Sequence, residues 1–226
     1  MSHCHRALLI LIVTSIVALN VHSQATKLTE VDVNAIVSSA TSAGSLLPRR
    51  EKALTELFND RALPANHTIV YTKAFLPPNN SQVFYSSENG AGKSVHEIIT
   101  IGPNIYVREE NGAWKLETPE ERAALPPPPK SIPMPLGADE TVTVAHRPNV
   151  QLDGNITDFY ELEKTSTKSD KNGLYKTTSV TRYWINKNGT LAKLETETSP
   201  SNSKPLYRRT VIYEYDPNIK IEAPIK

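Results

Sequence analysis

Short runs rich in Val, Ile, Thr and Tyr, separated by Gly, Asn and Pro, make up most of the chain after residue 66. Such runs are typical of strands and turns. Only short turns separate neighbouring runs, whereas parallel strands need long crossovers, so the pattern predicts an antiparallel meander. The predicted strands cover residues 67–76, 81–87, 93–101, 104–109, 113–117, 139–145, 156–166, 176–186, 191–198 and 206–215.

Glycine and asparagine mark the predicted turns between these strands. Gly102-Pro103-Asn104 separates two runs, and Glu110-Asn111-Gly112 follows the second of them. Later in the chain, Lys171-Asn172-Gly173 and Asn188-Gly189 likewise separate neighbouring runs. Asn-Gly pairs favour the positive φ angles of tight hairpins, so these turns predict that consecutive strands pair with each other.

Two segments ahead of the strands have helical spacing. The first covers residues 28–43, with Thr29 as a plausible N-cap and Gly44 as a plausible stop. The second covers residues 49–60 and is predicted to begin near Pro48, which suits a first helical turn. Their apolar positions are Val33, Ile36, Val37 and Ala40 in the first segment, and Ala53, Leu54, Leu57 and Phe58 in the second. We expect both helices to cover a sheet.

The first 23 residues have the order of a secretory signal. A basic start precedes an apolar stretch at 7–21, and Val21 and Ser23 are small enough for the −3 and −1 positions of a cleavage site. A membrane anchor is the alternative, but the stretch falls short of the ~20 apolar residues that a bilayer requires. We therefore expect cleavage after Ser23, a single mature domain at 24–226, and a periplasmic or secreted location.

Cysteine and charge exclude several classes of protein. The only cysteine, Cys4, lies in the predicted signal, so the mature chain can form no disulfide and no thiolate metal site. Gln24 stands where a bacterial lipoprotein needs a cysteine, so we expect no lipid anchor. Removing Arg6 with the signal leaves 24 basic residues against 24 acidic ones, from 25 and 24 in the whole chain. A neutral chain argues against a nucleic-acid partner.

A proline-rich segment at 119–135 divides the predicted strands into two groups. Six of the 17 prolines fall within 126–135, and proline can continue neither a helix nor a strand ladder. The segment could be a linker between domains or a stiff loop across one face of a sheet. Since each strand group is small, we favour one sheet with a long loop.

The sequence contains no complete motif for catalysis or metal binding. Gly92-Lys93-Ser94 resembles the end of a phosphate-binding loop, but a strand and not a helix is predicted to follow it. His67, His96 and His146 are too far apart in sequence for a helical ligand pair. No G-x-S-x-G elbow occurs.

Glu161 and Glu163 would share a strand face, where a solvated surface is a simpler interpretation than a glycosidase pair. We expect no enzyme activity, no cofactor and no metal.

Three segments resemble a known group of exported proteins. These are VHEIITIGPNIYVREENGAWKL at 95–116, SVTRYWINKNGTLAKLE at 179–195 and RRTVIYEYDPNIKIEAPI at 208–225. Together they resemble the LolA/LolB and LppX/LprG superfamily of lipid and lipoprotein carriers in the bacterial envelope, over about residues 27–226. The resemblance implies an α+β, predominantly β fold, in which a curved antiparallel sheet forms a half-open barrel with N-terminal helices across its mouth.

The same resemblance implies an exported soluble protein that binds or carries a lipid or other apolar ligand in a concave β-sheet cavity. Its partners would be the acyl chains of a lipid or lipoprotein. Strand alternation selects as cavity lining Ile99, Ile101, Val107, Tyr160, Leu162, Trp184, Leu194, Val211 and Tyr213. A slip of one residue would exchange the faces. The predicted lid helices would contribute Val33, Ile36, Val37, Leu54, Leu57 and Phe58.

An alternative function remains open at this stage. The chain could be a non-enzymatic module with a filled core that binds an envelope protein through its proline-rich loop or a sheet edge. An apolar cavity of ~300 Å³ or more would favour the carrier, and a packed interior would favour the module. The proline-rich loop has no counterpart in the family pattern.

Overall fold

The computed structural model describes residues 28–58, 67–89, 92–110, 112–118, 121, 140–170, 173–200 and 206–225. The predicted signal at 1–23, nearly all of the proline-rich segment at 119–135 and the turn residues 171–172 lie outside these residues. Within them, one helix and eleven strands are present. They are α1 (Glu30–Ser45), β1 (Arg49–Leu57), β2 (His67–Leu76), β3 (Asn80–Asn89), β4 (Gly92–Ile101), β5 (Asn104–Glu109), β6 (Lys115–Leu116), β7 (Glu140–Leu152), β8 (Asn155–Asp170), β9 (Gly173–Asn186), β10 (Leu191–Pro200) and β11 (Tyr207–Tyr215).

The strands form one open antiparallel sheet in the order β6-β5-β4-β3-β2-β1-β11-β10-β9-β8-β7. Every neighbour in this order is also a neighbour in sequence, except for β1 and β11, which pair from Arg49 opposite Tyr215 to Leu57 opposite Tyr207. This pair joins two wings, β1–β6 and β7–β11. The prediction of a curved antiparallel sheet in an α+β, predominantly β fold is confirmed.

The predicted strands after residue 66 lie close to the observed ones, because glycine residues mark the hairpin turns between them. Gly102 and Gly189 adopt positive φ angles of 55° and 81°, as the hairpin turns require. Most observed strands are longer than predicted by a few residues, as β8 is, which ends at Asp170 and not at 166, and two other strands differ in a further way. The strand predicted at 113–117 is reduced to the two residues of β6, and β7 continues past its predicted end through an irregularity between Arg147 and Val150.

The helix predicted at 49–60 is wrong, because this segment forms β1. Ala53 lies opposite Tyr71 on one side and Val211 on the other, so β1 is paired along both edges. Leu54 and Leu57, predicted as lid residues, therefore belong to the sheet. Phe58, also predicted as a lid residue, follows the end of β1, and its amide donates to the Leu206 carbonyl at 2.9 Å. Two ladders of backbone hydrogen bonds outweigh the weak helical preference of so short a segment.

The helix predicted at 28–43 is confirmed as α1. The Thr29 side chain accepts a hydrogen bond from the Asp32 amide, and the Asp32 carboxylate accepts one from the Thr29 amide, which together form a capping box. These hydrogen bonds from Thr29 lower the pKa of Asp32. Val33 is fully buried, and Ile36 and Val37 pack beside it.

Both ends of α1 are tied to the sheet. Near its start, Glu30 forms an ion pair with Lys164 of β8. Near its end, the Arg49 guanidinium donates to the Gly44 carbonyl at 3.3 Å, and Gly44 packs against the Tyr215 ring. The Tyr215 hydroxyl in turn donates to the Leu191 carbonyl at 2.9 Å. These contacts fix α1 over β7–β11. Among the described residues, no helix has both the length and the apolar character that a membrane span requires.

One row of side chains crosses ten strands on the face that carries α1. The residues paired in register along this row are His146, Tyr160, Tyr183, Leu194, Val211, Ala53, Tyr71, Tyr85, His96 and Glu109. Its centre is small and deeply buried, since Ala53 and Val211 are 6% and 2% exposed. Towards each end a tyrosine contacts a histidine.

Tyrosine is the main aromatic residue of this face. Burial raises the pKa of Tyr160 and Tyr183 in the β7–β11 wing. Burial likewise raises the pKa of Tyr71, Tyr213 and Tyr215, with a further contribution from the nearby Glu51 carboxylate in each case. The neutral phenol is therefore favoured in the folded state.

Replacing Gly44 with alanine tests the helix anchor. In an ordinary helix this change is favourable by about 1 kcal/mol. Here the added methyl group would collide with the Tyr215 hydroxyl, so we expect a loss of about 1–3 kcal/mol in the free energy of unfolding, measured by urea denaturation. The exposed Ser39→Ala is the control. In a Tyr215→Phe background, Gly44→Ala should lower the free energy of unfolding by less. An equal loss in both backgrounds would contradict the proposed contact.

The buried tyrosines predict alkaline instability. Five of the chain's nine tyrosines have a raised pKa, so the stability they contribute is intact below about pH 10 and is lost as the pH rises through their elevated values. Tyrosinate absorbance, recorded together with circular dichroism, should show these residues ionising late and with loss of structure. The urea-unfolded chain is the reference. Ionisation of every tyrosine near pH 10 in a sheet that stays folded would disprove this prediction.

Candidate functional site

Both faces of the sheet carry ion pairs and apolar side chains, and α1 lies on one of them. The face that carries α1 is called the inner face here, and the opposite one the outer face. On the outer face, cross-strand ion pairs join Arg182 to Glu161 at 2.6 Å and Lys52 to Glu214 at 2.8 Å. The Glu161 carboxylate is thus engaged by an arginine on a partly solvated, charge-balanced surface.

The helix covers only one wing of the inner face. Its packing partners lie on β7–β11, for example Tyr160 and Leu162 on β8 and Leu191 on β10. In the described part of the chain, none of the core residues that pack with α1 belongs to β1–β6. The inner face of the other wing has no helical cover from the described residues.

Apolar side chains line this second wing. Ile98 lies opposite Val83 on one side and Val107 on the other, which makes an apolar row across three strands. The set called the inner strip here consists of Phe75, Val83, Tyr85, Ile98, Ile105 and Val107. Ile98 is 37% exposed, and the other members are half-buried. The inner strip is therefore an accessible apolar surface, not a sealed core.

Charged side chains border the inner strip on the side towards β11. The Arg49 guanidinium pairs with the Glu51 carboxylate at 2.7 Å and lies over the Phe75 ring, 4.6 Å from its centroid. The Lys73 ammonium lies 5.3 Å from the centroid of the same ring. Arg209 projects on this face two residues from Val211. Along the row of Val107, Ile98 and Val83, the inner face thus changes from apolar at β3–β5 to charged at β2 and β1, where Lys73 and Glu51 lie.

The residues predicted as cavity lining fall on both faces. Those on the inner face are Val107, Tyr160, Leu162, Leu194, Val211 and Tyr213. Those on the outer face are Ile99, Ile101 and Trp184, which pair across strands with Tyr106, Asn104 and Phe159. Contact of any of these residues with a ligand stays a prediction.

The predicted cavity-lining residues that lie on the inner face differ in their burial and neighbours. Tyr160 and Leu162 are buried in the core beneath α1, and Val211 lies at the buried centre of the sheet. Val107 alone among the predicted residues belongs to the inner strip. Sequence reasoning missed Phe75, Val83, Tyr85, Ile98 and Ile105, although alternation along β2–β5 and their mutual pairing would have placed them on one face.

The three histidines lie in separate places. The His67 ring contacts the Ser87 hydroxyl at 2.5 Å, His96 lies 3.9 Å from the Glu109 carboxylate, and His146 stacks on Tyr160 with the ring centroids 4.6 Å apart. Within the described ranges, no group of three or more metal-ligating side chains comes together.

Three depressions in the surface are lined by described residues. One of about 610 Å³ opens at the end of the sheet near Leu152, Ile156 and Tyr215, among polar groups such as Asp153 and Asn186. Another, of about 400 Å³, separates the start of α1 from β7 and is lined by Leu28, Val142 and Val144 with three polar residues. A third, of about 210 Å³, lies beside Val107 of the inner strip and is otherwise lined by Arg108, Glu109, Gly112, Ala113 and Lys115.

No protein-family model matches the chain, and no curated protein matches it significantly. Solved structures do match over most of its length. The chain is similar to LprF from Mycobacterium bovis, with 12% identity, 85% of this chain and 97% of that chain covered, and a TM-score of 0.41. It is also similar to a putative outer membrane lipoprotein-sorting protein domain from Vibrio parahaemolyticus, with 8% identity, coverage of 84% and 93%, and a TM-score of 0.28.

A third similar structure is the LolA superfamily protein NE2245 from Nitrosomonas europaea, with 13% identity, coverage of 80% and 90%, and a TM-score of 0.26.

Proposed function

We propose that this chain is an exported carrier that binds the acyl chains of a lipid or lipoprotein, or another apolar ligand, on the inner face of β2–β5. The observation that supports this most is the inner strip, an apolar surface whose central residue Ile98 is 37% exposed. On the inner face, Ile98 of β4 lies between Val83 of β3 and Val107 of β5. On the outer face of β4, the neighbouring residue Glu97 forms an ion pair with Arg108 at 2.6 Å.

The energetics suit an acyl chain. Each CH₂ group removed from water contributes about 0.8 kcal/mol. Neighbouring strands lie about 4.8 Å apart, so the three steps from β2 to β5 span about 14 Å of inner strip. A ligand laid across the strands would cover Ile98 together with its neighbours on β3 and β5. Binding and release of such a ligand requires no catalytic group, and the proposed role is not enzymatic.

Export belongs to the same proposal. The signal at 1–23 would be removed after Ser23, and the product at 24–226 would act in the periplasm or outside the cell as a single domain without a membrane anchor. The continuous sheet that joins both wings supports a single domain. Intact-mass measurement of the exported product would locate the cleavage site.

A second candidate function is an interaction module for another envelope protein. The observation in its favour is β7, a 13-residue strand at one edge of the sheet, which could accept a strand from a partner. Its regular pairing is interrupted between Arg147 and Val150, at a proline, which shortens the part of this edge that could pair. We therefore rank the carrier first.

Native mass spectrometry of the purified mature protein, followed by lipid extraction, tests the carrier. Bound acyl species at a ratio near one per protein support it. A clean apo mass, combined with no binding of a fluorescent fatty acid, would count against it and favour the module.

Two matched substitutions locate the ligand on one face. Ile98 and Val70 are 37% and 40% exposed, but Ile98 lies on the inner face and Val70 on the outer face. We expect Ile98→Glu to weaken binding of a fluorescent fatty acid by about tenfold, because it replaces apolar contact with a charge. Val70→Glu should leave affinity unchanged within about twofold, which is ~0.4 kcal/mol. Equal effects of the two variants in a fluorescence titration would contradict the proposed site.

A further inference from the structure

The charges on the inner face are unequally distributed. Among the described residues of β1–β4 and β11, the inner face presents the cations Arg49, Lys73 and Arg209 but only one carboxylate, Glu51. These four residues are called the basic cluster here. Its formal charge is +2, and it lies where the apolar inner strip ends.

Two of the three cations are available to a ligand. Arg49 is occupied, because it pairs with Glu51 at 2.7 Å and also donates to the Gly44 carbonyl of α1. For Lys73 and Arg209, no carboxylate lies within ion-pair distance in the described part of the chain. The Lys73 ammonium rests near the Phe75 ring of the inner strip, and Arg209 is exposed.

Tyrosines connect the cluster with the apolar surface. Tyr71 on β2 and Tyr213 on β11 lie on the two strands that flank β1, and Glu51 and Arg209 act electrostatically on both of them. Phenol rings combine an apolar body with a polar tip, so they suit the boundary between an acyl chain and a head group. Polarity on the inner face therefore runs in one direction, from Val107 and Ile98 to Lys73 and Arg209.

We infer that the inner face selects amphiphiles that carry an anionic head group, with the acyl chain on the inner strip and the head group at Lys73 and Arg209. This inference rests on the proposed function. A carboxylate or phosphate oxygen at β2 would accept a charge-assisted hydrogen bond from Lys73, which lies directly opposite Glu51, and Arg209 on β11 would add electrostatic attraction. A cationic head group would meet the +2 cluster and be disfavoured, and a neutral one would gain only the apolar contact.

The test uses the mature chain with cis-parinaric acid and its methyl ester, two intrinsically fluorescent probes that differ only in the charged group. In mildly alkaline, low-salt buffer we expect the wild-type protein to bind the acid about tenfold more tightly than the ester. In Lys73→Gln/Arg209→Gln this preference should fall to about twofold or less, with the affinity for the ester unchanged. High salt should also reduce the preference of the wild-type protein for the acid over the ester, because it screens the charges.

The control is Lys52→Gln/Arg208→Gln, which removes two outer-face cations from β1 and β11 and should keep the preference. Thermal unfolding of each variant checks that it is folded. Equal wild-type affinity for acid and ester, or a preference that survives Lys73→Gln/Arg209→Gln, would overturn the inference and leave the proposed function standing. Failure of both probes to bind the wild-type protein would overturn both.

Discussion

The pairing of β1 with β11 is the constraint on which the rest of this structure depends. It joins the beginning and end of the described strands and turns two hairpin wings into one sheet. The same pair places Arg49 and Tyr215 opposite each other, and both contact Gly44 at the end of α1. The junction therefore also holds the helix over β7–β11, so that among the described residues no helix covers the inner face of β2–β5.

The unequal cover of the two wings relates the fold to the proposed function. Where α1 lies, Tyr160, Leu162 and Leu191 form a packed core that stabilises the sheet. Where it does not, Val83, Ile98 and Val107 present a similar apolar surface without a described partner. In the proposed function, this division of one sheet into a stabilising half and a binding half would allow a ligand to bind and dissociate while the core stays intact.

Much of the fold could be predicted from local sequence, and the failures have physical reasons. Turns such as Asn188-Gly189 need positive φ angles that few residues adopt, so they marked the hairpins reliably. The segment that contains Ala53 and Leu54 fits helix and strand alike, and its partner β11 lies at the far end of the chain. The candidate site was harder to predict from the sequence than the fold. Ile99 and Val107 were predicted to share a face, but Val107 pairs with Ile98, and only the register between strands reveals this.

Photocrosslinking with a diazirine-labelled fatty acid, mapped by peptide mass spectrometry, tests most directly the central claim that an acyl chain lies on the inner face of β2–β5. The structure predicts adducts concentrated on Phe75, Val83, Tyr85, Ile98 and Val107, and their loss in the presence of excess unlabelled fatty acid. Adducts confined to β7–β10, or spread over the outer face at Val70 and Leu54 and not competed by excess ligand, would contradict the account.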